Sequence, residues 1–143
     1  MVSQYAAPEP GSVASRLASE FSKAGHEVAL LTGYPNYPTG QFYPGFVRSW
    51  FHKEQINGIQ LGRCWHAPHS PEGLIKRCWN YGSFAISALW QGCRFFPVPD
   101  VIWAYHPPAT IGPVAHYFAR QWGVPWVLHV ADLWPEAGPT SMR

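Results

Sequence analysis

The fold is decided by residues 124–136, VPWVLHVADLWPE. From Trp126 to Val130, aromatic and β-branched residues follow one another almost without a polar break, which is typical of a strand covered on both faces. Asp132 and Glu136 come where this apolar run ends, and a proline between them keeps the acidic pair on a loop. Ligands of open α/β sheets dock at the carboxyl ends of strands. The stretch therefore predicts a buried strand with chemistry at its end.

The composition limits the class of protein. With 143 residues, of which 47% are hydrophobic and 13% charged, the chain suits one domain around one core. The net charge is only +2 and the basic residues are scattered, so we expect no nucleic-acid partner. The first ten residues have neither a basic leader nor an apolar segment, which favours a cytoplasmic location. Cys64, Cys78 and Cys93 lack a tight spacing and are expected to be reduced, buried thiols.

Strands and helices alternate along the chain. Helices are predicted over residues 12–25, 74–96 and 109–122, and strands over residues 27–32, 99–105 and 126–130. The first helix has a capping residue in Ser12, a terminating residue in Gly25, and an apolar stripe at helical spacing. That stripe consists of Val13, Leu17, Phe21 and Ala24. The alternation predicts an α/β fold, with one Rossmann-like domain over residues 1–143 built on a doubly wound parallel sheet.

Two turn-rich segments interrupt this alternation. Asn57 and Gly58 stand between apolar residues, a strong cue for a β-hairpin, which we expect as a small antiparallel flap. Residues 33–45 contain three prolines and four aromatic residues, so they form neither a helix nor a central strand. Loops of this length are usually functional or disordered, and the tyrosines favour function.

The spacing of Cys64, His66 and His69 raises the question of a metal site. A closed zinc site has four ligands, whereas this segment offers three candidates and has prolines beside them. We predict no metal and no cofactor.

The helix predicted over residues 74–96 has mixed character. An apolar side is assigned to Leu74, Cys78, Tyr81, Ala85, Ala88 and Leu89, and it is interrupted by the polar residues Lys76, Arg77, Asn80, Ser83, Ser87 and Gln91. The polar groups are too many for a membrane span. An ordinary buried helix is the preferred interpretation. Contact with an anionic bilayer through Trp79, Trp90 and the basic residues stays open as a second one.

Five segments in a fixed order carry a resemblance. They are SQY leading into PE (residues 3–9), AGHEV (24–28), LTGYPNYPTG (31–40), INGI (56–59) and DLWPE (132–136). Together they resemble the N-terminal half of family 4 glycosyltransferases, especially bacterial enzymes that build surface polysaccharides. The resemblance covers nearly the whole chain.

This resemblance implies the GT-B architecture, in which two Rossmann-like domains face each other across a cleft. The chain resembles the first domain, which holds the acceptor. The second domain, which binds the nucleotide-sugar donor and carries an E-x7-E pattern, has no counterpart here, and both ends of the sequence are expected to be cut. The resemblance also implies retention of anomeric configuration without a bound metal. The isolated chain is expected to show no transfer activity and weak stability or self-association.

The resemblance assigns roles to individual residues. Gly11 and Ser12 fall where the family has a glycine-rich loop at a helix N-terminus, whose free N–H groups favour phosphate or the transferring sugar. A simple turn that caps the helix is the alternative. Asp132 falls where a carboxylate faces the reacting sugar and could orient the acceptor hydroxyl or stabilise positive charge. Its alternative role is to cap its own turn.

Four more residues are predicted to bind substrate. Tyr34, Tyr37 and His106 are expected at the same sheet edge, where polar-tipped rings suit a sugar face, although simple packing explains each alone. The fourth is Glu136, which forms the acidic pair with Asp132. His129, inside its strand, is expected to be a hydrogen-bonded core residue.

Two functions follow. The first is transfer of a hexose from a nucleotide sugar to a glycan or polyprenyl-linked acceptor, with this chain as the acceptor-binding half, working in the cytoplasm or against the inner face of the membrane. The second is an inactive module that binds glycan, lipid or a partner subunit. A nicotinamide-dependent oxidoreductase would need Gly-x-Gly-x-x-Gly after the first strand, and that pattern is absent.

Overall fold

The computed structural model describes residues 1–68 and 73–131. Its elements are α1 (Val13–Lys23), β1 (Ala29–Gly33), β2 (Phe51–Ile56), β3 (Ile59–Cys64), α2 (Leu74–Phe95), β4 (Ile102–His106), α3 (Ile111–Trp122) and β5 (Trp126–Val130). The predicted residues His69, Asp132 and Glu136 lie outside the described ranges. No described helix is long and apolar enough to cross a bilayer.

The sheet is held together at its centre by the opening segment of the chain. The strands form two groups, β1-β3-β2 and β4-β5, and Val2 makes parallel bridges to Leu31 in β1 and to Ala104 in β4. The Val2 N–H donates to the Trp103 carbonyl at 2.8 Å, and the Leu31 N–H donates to the Met1 carbonyl at 2.9 Å. The spatial order is therefore β2-β3-β1-Val2-β4-β5, and the predicted Rossmann-like α/β class is confirmed.

Helices cover both faces of this sheet. Leu30 points into a small core against α1, where Ala14 and Ala18 are buried. Leu31 points the other way, into the larger core formed with α2 and α3, because successive side chains of a strand alternate between faces. The buried residues of α1, Ala14 and Ala18, each follow by one position a residue of the apolar stripe expected from the sequence. Alanine side chains are small and allow a helix to approach a sheet closely.

The hairpin and the last strand differ from expectation in their surroundings. Asn57 and Gly58 form the predicted turn, both with positive φ, but β3 also pairs in parallel with β1, so the hairpin is part of the main sheet and no separate flap. β5 has the predicted bounds but is not buried. Among described residues it pairs only with β4, and Val127 is 54% exposed. His129 is likewise half-buried, with its ring against aromatic neighbours on β4.

The longest helix, α2, has the predicted length, and its predicted apolar side is packed in part: Ala88 is buried, and Ala85 and Leu89 pack against the core. Its buried residues are Asn80, Ser83, Phe84, Ser87, Ala88, Gln91 and Gly92. Four of the six polar residues expected to interrupt the packed side therefore belong to it, whereas Lys76 and Arg77 are exposed. Leu74 and the thiols Cys78 and Cys93 are exposed, contrary to prediction; all three cysteines are free, and Cys64 alone is buried. Asn80 and Ser83 can be buried because groups on distant segments pair with them.

Two glycines of α2 test this packing. A Cβ at Gly92 would overlap the ring of the buried residue Phe118, whereas a Cβ at Gly82 would meet nothing within 4 Å. We expect Gly92→Ala to lower the free energy of unfolding by about 1–3 kcal/mol through overpacking. Gly82→Ala, the matched control, should raise it by up to about 1 kcal/mol because alanine favours the helix.

Urea unfolding followed by tryptophan fluorescence measures both variants. Equal effects of the two substitutions would contradict the described contact between α2 and α3.

Candidate functional site

The candidate site lies at the carboxyl edge of the sheet, where the ends of the Val2 segment, β1 and β4 meet; we call this edge the crevice, because ligands of open α/β sheets bind there. Val2 is bridged to Ala104, so Gln4 and His106 stand two residues farther along neighbouring parallel segments. β1 ends beside them, since the Gly33 N–H donates to the Gln4 carbonyl at 3.0 Å. The strand order runs outward in both directions from Val2, which makes this edge the topological switch point, where α/β folds bind ligands.

Buried polar atoms without partners gather around this edge. Among the described residues, the Gln4 Oε1, both amide atoms of Asn36, the His106 Nδ1 and the Thr110 Oγ1 are buried and make no hydrogen bond within the chain. Leaving such a group unpaired costs about 1–3 kcal/mol, so a folded protein rarely keeps several together without a use. These atoms follow the Val2 segment, β1 and β4 along the chain, and they lack hydrogen-bond partners within the described residues.

The amide of Gln4 is oriented by a buried network on the α2 side. The Gln4 Nε2 donates to the Asn80 Oδ1 at 2.7 Å, and the Asn80 Nδ2 donates to the Ala67 carbonyl at 2.6 Å. The Ser83 hydroxyl accepts from the Ala67 N–H at 2.9 Å. Because the amide nitrogen of Gln4 is committed to α2, its oxygen is the atom left without a partner.

Glu9 ties the loop before α1 to the loop after β1. Its Oε1 accepts from the N–H groups of Asn36 at 2.8 Å and Tyr37 at 2.9 Å, and its Oε2 accepts from the Ala6 N–H at 3.2 Å. Burial raises the pKa of this carboxyl, and the three N–H donors and Arg63 oppose that rise only in part. Glu9 therefore fixes the backbone that presents Asn36 to the crevice.

Arg63, on β3, contacts the same region of the chain as Glu9. Its guanidinium donates to the carbonyl of Gly33 at 3.1 Å and to that of Ala7 at 3.0 Å, and it pairs with Glu54. The ring of Phe46 packs against it. Because carbonyls, a carboxylate and a ring surround this buried cation, it is a structural support for the loops.

The motif of Cys64 and His66 is also structural. The ring nitrogens of His66 lie 2.8 Å from the Ala67 carbonyl and 2.9 Å from the Tyr34 carbonyl, and burial raises the pKa of the Cys64 thiol. In the described ranges no three His, Cys, Asp or Glu side chains form a group that could hold a metal ion.

The loop at Gly11 and Ser12 takes the conformation of a capped turn. Gly11 has a φ of +72° and is exposed, which makes glycine the favourable residue at this turn. The Ser12 hydroxyl accepts from the Ser15 N–H at 3.2 Å and so caps α1. The Ser12 oxygen is thus engaged by its own helix, which supports the capping alternative for this pair.

The two tyrosines of the long loop have different positions. Tyr34 is buried, and its hydroxyl lies 3.0 Å from the Ser49 Oγ inside the loop, which supports the packing alternative. Tyr37 is 42% exposed, and its ring lies 5.5 Å from that of Tyr5. Tyr37 and Tyr5 thus place an aromatic surface beside Glu9, near the unpartnered amide of Asn36.

The crevice therefore combines His106, which the sequence predicted, with three residues that it did not. Gln4, Asn36 and Thr110 are ordinary polar residues in or near loops, and no spacing distinguishes them. The signal that could have identified Gln4 is its place directly after the apolar opening segment, which lies at the centre of the sheet. Taken together, the unpartnered groups are side-chain amides, a hydroxyl and an imidazole, which suit a ligand rich in hydroxyl groups.

Comparison with known proteins gives two matches. The family model of the glycosyl transferase 4-like domain matches residues 10–143. WcaI of Escherichia coli (strain K12), whose name assigns it to colanic acid biosynthesis as a glycosyl transferase, is 29% identical over 130 residues. The match covers 85% of this chain and 30% of WcaI, so the chain spans about a third of that relative. No solved structure matches the chain.

The burial of Glu9 predicts a pH dependence of stability. Its pKa in the folded chain lies above the usual 4.5, so the folded protein holds this proton more tightly than the unfolded chain does. The stability of the protein relative to Glu9→Gln should therefore fall as the pH rises from 4.5 through the raised pKa, and stay constant above it. The fall amounts to about 1.4 kcal/mol for each pH unit by which the pKa is raised.

Urea unfolding of both proteins across this pH range gives the difference directly. A difference that grows with pH would show that the three N–H donors outweigh burial.

Proposed function

Because the chain belongs to the glycosyl transferase 4-like family, we propose that it is the acceptor-side domain of an enzyme that transfers a hexose from a nucleotide sugar to a glycan. The acceptor we propose is a polyprenyl-linked glycan of a cell-surface polysaccharide, which would bring the protein to the inner face of a membrane. The observation that carries the proposal is the group of unpartnered buried atoms of Gln4, Asn36, His106 and Thr110 at the switch point of the sheet.

The chemistry of the crevice favours an acceptor sugar over the donor diphosphate. A diphosphate is recognised by cations or by a set of free backbone N–H groups. Arg63, the buried cation of this region, donates instead to two carbonyls and Glu54. The Ser12 side chain already occupies one N–H of the α1 terminus. Amides, a hydroxyl and an imidazole remain, and these pair well with sugar hydroxyls.

Asp132 is proposed to act on the acceptor hydroxyl. Val130 pairs with His106 at the end of β5, and Asp132 follows two residues later in the sequence. A carboxylate entering the crevice beside His106 could orient the attacking hydroxyl and stabilise the positive charge that develops on the transferring sugar. Glu136, on the same sequence segment, is proposed to contact the acceptor. Both residues lie outside the described part of the chain.

Tyr37 is proposed to supply the apolar side of the acceptor site. Sugar rings have apolar faces that pack on exposed aromatic rings, and Tyr37 contributes such a ring with Tyr5 beside it. Gly11, Ser12 and Tyr34 are proposed as positioning residues: Gly11 forms the turn before α1, Ser12 caps α1, and the Tyr34 hydroxyl lies beside Ser49. The proposal needs no metal ion held by the described residues.

Asn36 offers a test that separates binding from stability. Its side-chain amide makes no hydrogen bond within the described chain, so Asn36→Leu should leave the free energy of unfolding within about 1 kcal/mol of the original. Loss of one or two hydrogen bonds to the ligand should weaken glycan binding about three- to tenfold or more. Gln55→Ala, at an exposed position of β2, is the matched control.

Binding can be measured by saturation-transfer NMR with short-chain prenyl-diphosphate-linked glucose, galactose and mannose, each tested singly. UDP-glucose and GDP-mannose serve as donor probes. The proposal predicts signals from a prenyl-linked sugar that Asn36→Leu weakens. Binding of nucleotide sugars alone, or equal binding by Asn36→Leu, would contradict it.

A further inference from the structure

The outward side of α2 carries an apolar stripe that nothing in the described chain covers. Ile75, Trp79, Ile86 and Trp90 are 85%, 61%, 60% and 59% exposed. Their spacings of four, seven and four residues place them on one face of the helix. Large apolar side chains gathered in this way on a surface mark an interaction site.

The charged residues of α2 itself are all basic. Across its 22 residues α2 contains no Asp or Glu, and it contains Lys76, Arg77 and Arg94. The Arg94 guanidinium lies 5.1 Å from the ring centre of Trp90, so a cation stands at the edge of the stripe itself. Lys53 of β2 adds a fourth cation, because its Nζ donates to the Phe95 carbonyl at 3.1 Å at the end of the helix.

We propose that this face of α2 is a docking surface for a membrane containing anionic lipids. Indole rings favour the boundary between headgroups and acyl chains, and lysine and arginine beside them are attracted to anionic headgroups. From Ile75 to Trp90 the stripe extends about 22 Å along the helix, since each residue rises about 1.5 Å. The helix therefore lies on the surface with its apolar side chains inserted.

A second copy of the chain fits this surface less well. Pairing two such faces would place the cations of one copy against those of the other, and like charges in close contact are unfavourable. Anionic headgroups supply the opposite charge.

The inner and outer sides of α2 then place the crevice and the membrane next to each other. Asn80 on the inner side holds the amide of Gln4, while Trp79 on the outer side contacts lipid. A lipid-linked acceptor would thus meet the crevice close to the membrane. This use of the surface rests on the proposed function, but the contact with lipid does not.

The test uses sedimentation with vesicles and no glycan. The full chain is mixed with vesicles of phosphatidylglycerol and phosphatidylethanolamine, and separately with vesicles of phosphatidylcholine. We expect binding to the anionic vesicles that weakens as salt is raised. The double variant Trp79→Ser with Trp90→Ser should bind more than about tenfold more weakly, because each indole contributes a large apolar area.

Trp50→Ser is the matched control. Trp50 lies outside α2, is 50% exposed and stacks on Trp65, so its replacement should change vesicle binding less than about twofold. Lys76→Glu with Arg94→Glu tests the charges and should remove the preference for anionic vesicles. Circular dichroism confirms that each variant is folded, and all the replaced side chains are exposed.

Three results would overturn the inference. They are absence of binding to anionic vesicles, equal binding by the double tryptophan variant, and a dimer that dissociates in that variant while no vesicle binding is seen. If the chain binds vesicles but not the prenyl-linked sugars, the proposed function is contradicted and this inference is supported.

Discussion

The two-sided pairing of Val2 is the constraint on which the structure depends. A single residue bridges Leu31 on one side and Ala104 on the other, and it thereby turns a three-stranded and a two-stranded group into one sheet. This pairing also sets the register that brings Gln4, Gly33 and His106 to the same edge. The crevice exists because the chain leaves the central segment at that edge and returns to it at the ends of β1 and β4.

The sequence predicted the elements better than their environments. The turn at Asn57 and Gly58, the bounds of β5 and the length of α2 follow from local signals, and the structure has them. The buried side of α2 could not be predicted, because Asn80 is satisfied by Gln4 and by the Ala67 carbonyl, which are remote in sequence from each other. Helical periodicity assumes that polar residues face water, whereas Asn80 and Ser83 face hydrogen-bond partners inside the protein.

In the candidate site, too, some residues could be predicted from the sequence and others could not. His106 could be predicted because it ends a strand and carries a distinctive ring. Glu9 and Asn36 could not, since their importance comes from three backbone N–H groups presented by two separate loops. The sequence also favoured Ser12 and Tyr34, whose side chains the structure places in contact with Ser15 and Ser49. Chemistry-bearing residue types are visible in a sequence, but the atoms left without a partner are visible only in the fold.

The most direct measurement is a titration of the isotopically labelled chain with prenyl-linked sugar, followed through the side-chain amide resonances of asparagine and glutamine. The Asn36 amide has no partner in the described chain, whereas the Asn80 amide is held by the Ala67 carbonyl. A sugar in the crevice should shift the Asn36 resonances strongly and the Asn80 resonances little. Unchanged Asn36 resonances at saturating sugar would contradict a binding site at this switch point.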